Sequence, residues 1–238
     1  QADRQTTRAM HDGHTRYTAV DGIPELKQAI RDKFKLDNGL SYEHSQISVS
    51  TGGKQVLYNA FMATLNAGDE VIIPAPYWVS YPDMVVLAEG RPVIAACLAQ
   101  NDFKLTAEEL EAAITPATRW LILNSPSNPT GSVYNQHELK ALAEVLLRHP
   151  QILVMSDDIY EHLIYGEAEF STLAQVEPKL FSRTLTCNGM SKAYCMTGWR
   201  VGWIKAPTPL MPMLENLVQY STSGVPQFMQ RGAVAALD

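Results

Sequence analysis

Short apolar runs of strand length alternate along this chain with longer amphipathic stretches, and most runs stop on a loop rich in glycine, proline or hydrogen-bonding side chains. That alternation constrains the fold more than any other feature. Runs at Gln46–Ser50, Glu70–Ile73, Pro92–Ala96, Trp120–Leu123, Ile152–Met155, Thr184–Thr186 and Val201–Ile204 read as strands. Helices are expected over Pro24–Leu36, from the T-G-G-K turn (Thr51–Lys54) to Leu65, and over Val79–Ala88, Ala107–Ile114, Gln136–Arg148, Leu210–Tyr220 and Gln227–Leu237. Pro24 suits a first helical position, and Gly39 lies just past the end of that helix. Strand and helix in regular alternation predict an α/β domain of three layers, α/β/α, with a mostly parallel central sheet covered on both faces. No repeat, low-complexity tract or linker interrupts the pattern, so residues 1–238 read as one domain.

In open sheets of this kind ligands gather beyond the carboxyl ends of the strands. Thr51–Lys54, Pro76–Trp78, Asn124–Gly131 and Asp157–Tyr160 each follow an expected strand directly. Packing alone does not produce that coincidence. Composition removes other classes of function. A net charge of −6, with no run of Lys or Arg, argues against a nucleic-acid surface. The longest apolar runs, such as Val71–Pro76, are too short to span a membrane. Cys97, Cys187 and Cys195 are odd in number, far apart and without metal-ligand spacing, which points to a reducing, cytoplasmic setting with no disulfide framework and no metal site. They read as small apolar core or near-site residues. The chain opens at Gln1 with neither an initiator Met nor a signal peptide, so part of the natural protein is expected to be missing.

The segment Asn188–Gly202, N-G-M-S-K-A-Y-C-M-T-G-W-R-V-G, is the richest in chemistry. Lys192 follows a small-residue turn, Gly189 and Ser191, and Arg200 lies eight residues beyond it. A lysine can form an imine, small residues allow close approach of a phosphate, and an arginine can clamp the dianion with two parallel hydrogen bonds. A lone lysine beside a glycine turn is ordinarily a surface residue; its company is what matters here. Gly52 and Gly53 could present backbone N–H groups to an anion at a helix start, or form a plain tight turn. They match neither a P-loop nor a dinucleotide fingerprint. Trp78 could lie flat on a heteroaromatic ring or serve as a core or interface indole. N-S-P-S-N-P-T-G presents Asn128, either a turn residue or a donor to a phenolate-like oxygen. In S-D-D-I-Y a carboxylate at a strand end calls for a cationic partner, and a protonated pyridine nitrogen is one. If Asp157 points inward, Asp158 is expected at a helix start or in solvent, and Tyr160 can reach the same ring.

Taken together these residues resemble the fold-type-I pyridoxal-phosphate aminotransferases, in particular the bacterial aspartate aminotransferase group with its aspartate/prephenate enzymes. The similarity runs from T-R-Y-T-A-V-D-G-I-P-E-L-K through S-P-S-N-P-T-G and S-D-D-I-Y-E-H to M-T-G-W-R-V-G. The resemblance implies the large, cofactor-binding domain and assigns roles within it. Lys192 would hold pyridoxal 5′-phosphate as an imine and act as general base. Asp157 would bind the pyridinium nitrogen, Asn128 and Tyr160 the ring's 3-oxygen, and Trp78 would stack on the ring. Gly53 and Lys54 backbone groups, Ser191 and Arg200 would hold the phosphate. Tyr17 would reach the phosphate of a neighbouring subunit, which implies a homodimer. The Lys54 side chain would read an acidic substrate's distal carboxylate, with Trp78 and Asn128 also facing substrate.

The implied reaction is ping-pong transamination between an amino acid, aspartate or glutamate, and a 2-oxo acid. A lyase or decarboxylase of the same fold, the sensing module of a transcription regulator and a nucleotide-binding α/β domain without covalent cofactor are the rival readings. Cys195 stands where the family usually has Ala or Ser, a near-isosteric change. The N-terminal segment and the C-terminal small domain of the family, whose arginine grips the substrate α-carboxylate, are not matched. The chain by itself is therefore expected to bind cofactor but to be a poor catalyst.

Overall fold

The computed structural model describes all 238 residues. In chain order its elements are α1 (Ala2–His11), α2 (Pro24–Asn38), β1 (Ile47–Ser50), α3 (Gly53–Thr64), β2 (Glu70–Ala75), α4 (Ser80–Leu87), β3 (Arg91–Ala96), α5 (Ala107–Ala113), β4 (Thr118–Asn124), α6 (Gln136–Arg148), β5 (Leu153–Asp157), α7 (Leu173–Val176), β6 (Thr184–Gly189), β7 (Gly202–Lys205), α8 (Met211–Ser221) and α9 (Gln227–Leu237). The strands form one seven-stranded sheet in the order β1-β7-β6-β5-β4-β2-β3. β2 pairs in parallel with β3 and with β4, and β4 with β5, while β1 and β7 are antiparallel. This is the mostly parallel, helix-flanked α/β/α architecture expected from the alternation. No helix is long and apolar enough to cross a membrane.

The chain divides into two compact units: a terminal unit, Gln1–Ala63 with Cys187–Asp238, and a central unit, Thr64–Thr186. In the central unit the runs Val71–Ile73 and Trp120–Leu123 are wholly buried, as strands covered on both faces must be. On one face, Leu121, Leu123 and Val154 pack with Leu139, Leu142 and Leu146 of α6, each such side chain contributing roughly 1.5–3 kcal/mol of transfer free energy. Helix starts are fixed by reciprocal capping: Thr106 with Glu109 opens α5, and Asn135 with Glu138 opens α6. At the amino end of β2 the buried Glu70 carboxylate is satisfied by Arg91 and by the hydroxyls of Thr115 (2.6 Å) and Thr118 (3.2 Å). A buried charge left unpaired there would be costly.

In the terminal unit α2 begins on Pro24 and stops on Gly39, whose φ of 65° supplies the left-handed cap. Its buried stripe of Leu26, Ile30 and Phe34 follows the four-residue helical repeat, and Phe34 meets Tyr42 edge-on at 4.9 Å. Helix α1 was not anticipated: no side chain caps it, and it buries only Thr6 and Ala9. It packs against α9, where a Cβ on Gly232 would meet the Thr6 hydroxyl and lie 2.6 Å from the Trp199 ring. The helix exists through that close approach rather than through propensity. Gln230 of α9, fully buried, accepts from Ile23 N (2.7 Å) and donates to Val225 O (2.8 Å) and Thr18 Oγ1 (3.2 Å), tying the loop after α1 in place.

Candidate active site

In the central unit β2, β4 and β5 end side by side, and Asn124 and Asp157 are register partners at the last position of their strands. Asp157 is 4% exposed. The Tyr81 hydroxyl donates to its Oδ2 at 2.6 Å. Burial lifts the Asp157 carboxyl to about 6, against the opposing pull of hydrogen bonds from Tyr81 and the Ile159 backbone. Both donors are neutral. The carboxylate is thus held in a desolvated place suited to a cationic partner.

Asn124 braces the next loop. Its Nδ2 donates to Asp157 O at 2.9 Å, and its Oδ1 accepts from Asn128 N at 2.8 Å. Asn128 Nδ2 in turn reaches the Tyr160 hydroxyl at 3.4 Å. Trp78, just past β2, meets Tyr81 edge-on with ring centroids 5.3 Å apart and planes at 89°. Tyr77, Tyr81, Asn124 and Asn128 line one cavity. The four residues singled out in this unit, Trp78, Asn128, Asp157 and Tyr160, therefore belong to one chain of contacts, and Tyr81 and Asn124 are the links.

One expectation is corrected. Asp158 is neither a helix start nor solvated: it is 3% exposed and accepts from the Ser156 hydroxyl at 2.7 Å. The chain turns after Asp157 instead of entering a helix, and Ser156 with its neighbour Thr172 (3.2 Å) gives the second carboxylate an internal partner.

In the terminal unit the Thr51–Gly52 turn joins β1 to α3, with Gly52 at φ 89°. Gln55 accepts from both Thr51 N (2.9 Å) and Thr51 Oγ1 (2.5 Å), and donates to Ser221 Oγ (3.2 Å) and Thr222 Oγ1 (3.3 Å). Arg200, exposed and at φ 55°, donates to Thr197 O (2.8 Å) and Thr51 O (3.3 Å). Its guanidinium occupies the space that a Cβ on Gly52 would need. A Cβ on Gly202 would lie 2.5 Å from Gly53 N and 2.6 Å from Gly52 C, so the β7 backbone passes directly behind the turn. The amino end of α3, with its Gly53 and Lys54 amides, is thus shaped by three glycines and one arginine, an arrangement suited to an anion.

Lys192 is half-buried in the turn after β6, and its carbonyl accepts from Cys195 N at 3.2 Å; Ser191 beside it is buried. Met190 N donates to Val201 O at 3.0 Å, which closes the segment that carries Lys192, Cys195 and Arg200 into a loop. The structure so brings Gly53 and Arg200 to one turn, with Ser191 and Lys192 on the loop leading to it. Lys54 is exposed in the first turn of α3, and Tyr17 stands 91% exposed. Of the cysteines, Cys97 and Cys187 are buried and Cys195 is exposed.

Three site residues escaped the reading of the sequence. Tyr81 is the last residue of P-A-P-Y-W-V-S-Y, one helical turn after Trp78, and Asn124 is the first of N-S-P-S-N-P-T-G. Gln55 follows the T-G-G-K turn directly. Each sat inside or beside a motif already marked, and a polar side chain there was the available signal.

This geometry accords with the wider relationships of the chain. The family model for aminotransferase class I and II matches residues 1–238, and the chain belongs to that family. Aspartate aminotransferases of the family use pyridoxal phosphate. An aspartate/prephenate aminotransferase of Cereibacter sphaeroides is 60% identical over 230 residues, 97% of this chain and 58% of the relative. An aspartate aminotransferase of Rhizobium meliloti is 55% identical over 97% of this chain and 56% of its own length. Among solved structures, the aspartate aminotransferase from Rhizobium meliloti matches all of this chain and 59% of its own with a TM-score of 0.98 at 53% identity. The Thermus thermophilus aspartate aminotransferase with maleate matches 99% of this chain and 60% of its own, with a TM-score of 0.95 at 41% identity. The chain thus spans less than two thirds of the length of these relatives.

Proposed function

We propose that this chain is the cofactor-binding part of an aminotransferase that passes an amino group between an acidic amino acid, aspartate or glutamate, and a 2-oxo acid. The observation that carries this reading is Asp157: a buried carboxylate, held by neutral donors at a strand end, in company with Trp78, Asn128 and Tyr160. A pyridinium nitrogen is the cation that fits among aromatic and amide side chains. The glycine-shaped turn beside Arg200 fits a phosphate, because a side chain at Gly52 or Gly202 would fill the space an anion's donors need.

When bound, pyridoxal phosphate supplies an electron sink for the pair left on an amino acid's Cα as its proton departs. The protein's share follows from the residues present. Asp157 would hold a proton on the ring nitrogen, and Asn128 with Tyr160 would donate to the ring oxygen. Gly53, Lys54, Ser191 and Arg200 would fix the phosphate, and Trp78 would cover the ring face. The Lys192 amine would hold the cofactor covalently and, once the substrate's amino group had displaced it, would move the proton from Cα as general base. The exposed Lys54 ammonium would read the distal carboxylate of an acidic substrate, with Trp78 and Asn128 as further substrate contacts. Tyr17, 91% exposed, is assigned to the phosphate of a second copy in a homodimer. A cytoplasmic setting is assigned from Cys97, Cys187 and Cys195, which form no disulfide.

The test is optical. Pyridoxal phosphate added to the chain should give an absorbance band near the visible edge that Lys192→Ala abolishes. Aspartate should then convert the wild-type band, slowly, to that of pyridoxamine phosphate, and the variant should show no such conversion. A band that survives Lys192→Ala, or no band in the wild type, would overturn the assignment.

A further inference from the structure

We propose that Tyr81 is a positioning residue for Asp157: its hydroxyl keeps that carboxylate a weak base, so that a proton shared with the cofactor's ring nitrogen stays on the ring. The role rests on the pyridoxal-phosphate reading above. The hydrogen bond is 2.6 Å long, within the range of O–H donors to carboxylates, and both groups are buried, Tyr81 at 2% and Asp157 at 4% exposure. Burial favours the neutral carboxylic acid, which cannot hold a pyridinium ion; a donor to Oδ2 favours the carboxylate. A carboxylate with one lone pair engaged also competes less well for a proton lying between it and a ring nitrogen.

Tyr81 is itself fixed. It sits in the first turn of α4, and its ring meets that of Trp78 edge-on at 5.3 Å. One side chain therefore orients both the residue assigned to the ring nitrogen and the residue assigned to the ring face. A role confined to packing would need only the ring of Tyr81. The role proposed here needs its hydroxyl.

The experiment separates the two. The full chain is loaded with pyridoxal phosphate carrying ¹⁵N in the ring, and the nitrogen resonance is compared in wild type, Tyr81→Phe and a protein with 3-fluorotyrosine at position 81. Phenylalanine keeps the ring and should move the resonance toward that of unprotonated pyridine, with cofactor binding, read by quenching of tryptophan fluorescence, about tenfold weaker. Fluorotyrosine, a stronger donor of nearly the same shape, should move the resonance the other way. A ring nitrogen unmoved across all three, in proteins that bind cofactor, overturns the role of Tyr81 and leaves the cofactor reading standing. If Tyr81→Phe does not fold, the fluorotyrosine protein decides alone, and no shift there overturns the proposal. A wild-type chain that takes up no pyridoxal phosphate overturns the cofactor reading and this role with it.

Discussion

The groups that the central unit offers to a cofactor are side chains held by other side chains. Tyr81 holds Asp157 and meets Trp78, while Asn124 holds the Asp157 backbone and the loop of Asn128. In the terminal unit the corresponding work falls to the backbone. Gly52 turns at φ 89°, Gly202 passes close behind Gly53, and Arg200 leans on the Thr51 carbonyl. A ring must be recognised by directional partners at fixed points, which needs buried side chains with satisfied hydrogen bonds. A phosphate offers several equivalent oxygens, and clustered N–H groups suffice. The two units should therefore fail in different ways: the central one by loss of a single polar atom, the terminal one by gain of a single carbon.

The largest effect is expected at Asp157. Asp157→Asn should weaken cofactor binding about 100-fold or more, because a buried cation would lose its counter-charge. Without cofactor the sign reverses. The folded carboxyl titrates at about 6, above its ordinary 3.8, so the folded state holds this proton to higher pH than the unfolded chain does. The wild-type chain should lose stability from this group as pH rises from about 4 to about 6 and level off above that. The Asn variant lacks the loss and should be more stable at pH 7, by a few kcal/mol at most. Urea titrations of the cofactor-free proteins at pH 4 and pH 7 check this. A variant less stable than wild type at pH 7 would mean that Asp157 is paired in the empty protein, and that the central unit is not poised in the way described.

How far the sequence allowed this to be seen differs between the units for the same reason. Helix α6 matches its expected bounds, Gln136–Arg148, because Asn135 and Glu138 write its start into local chemistry. Asp157, Asn128 and Trp78 were legible because each follows a strand in a marked motif. Tyr81 was not, since its partner lies 76 residues away and only folding joins them. Asp158 misled for a related reason: Ser156 and Thr172 make a burial site that no local pattern announces. In the terminal unit Gly52 and Gly53 showed a turn, but the need for Gly202 arises from a strand 150 residues later in the chain. Helix α1 left no capping signal at all, because its stability comes from contact with α9.

The next effect tests the terminal unit. Gly202→Ala places a carbon 2.5 Å from Gly53 N and 2.6 Å from Gly52 C, both backbone atoms that no rotamer change can move aside. Overpacking of this kind costs about 1–3 kcal/mol, and the displaced turn should also lose affinity for phosphate. The expected result is a destabilised chain that binds pyridoxal phosphate weakly, yet binds pyridoxal without its phosphate as the wild type does. Equal losses for both forms would show that the turn supports the whole fold rather than one anion.

The smallest effect sharpens the same point. Cys195 is exposed and adopts φ 54° between Lys192 and Arg200, and its contact with the segment is a backbone one, N to Lys192 O at 3.2 Å. Cys195→Ser keeps the size of the side chain and the same restriction on φ, so neither the turn nor its strain should change. Stability should stay within about 0.5 kcal/mol of wild type, and the absorbance with pyridoxal phosphate should not move. If this part of the molecule is backbone-built, a side-chain change that leaves the backbone alone must be silent even three residues from Lys192. A shifted band in Cys195→Ser would show that the thiol itself touches the cofactor's surroundings, and the contrast between the two units would no longer hold at the residue where it matters most.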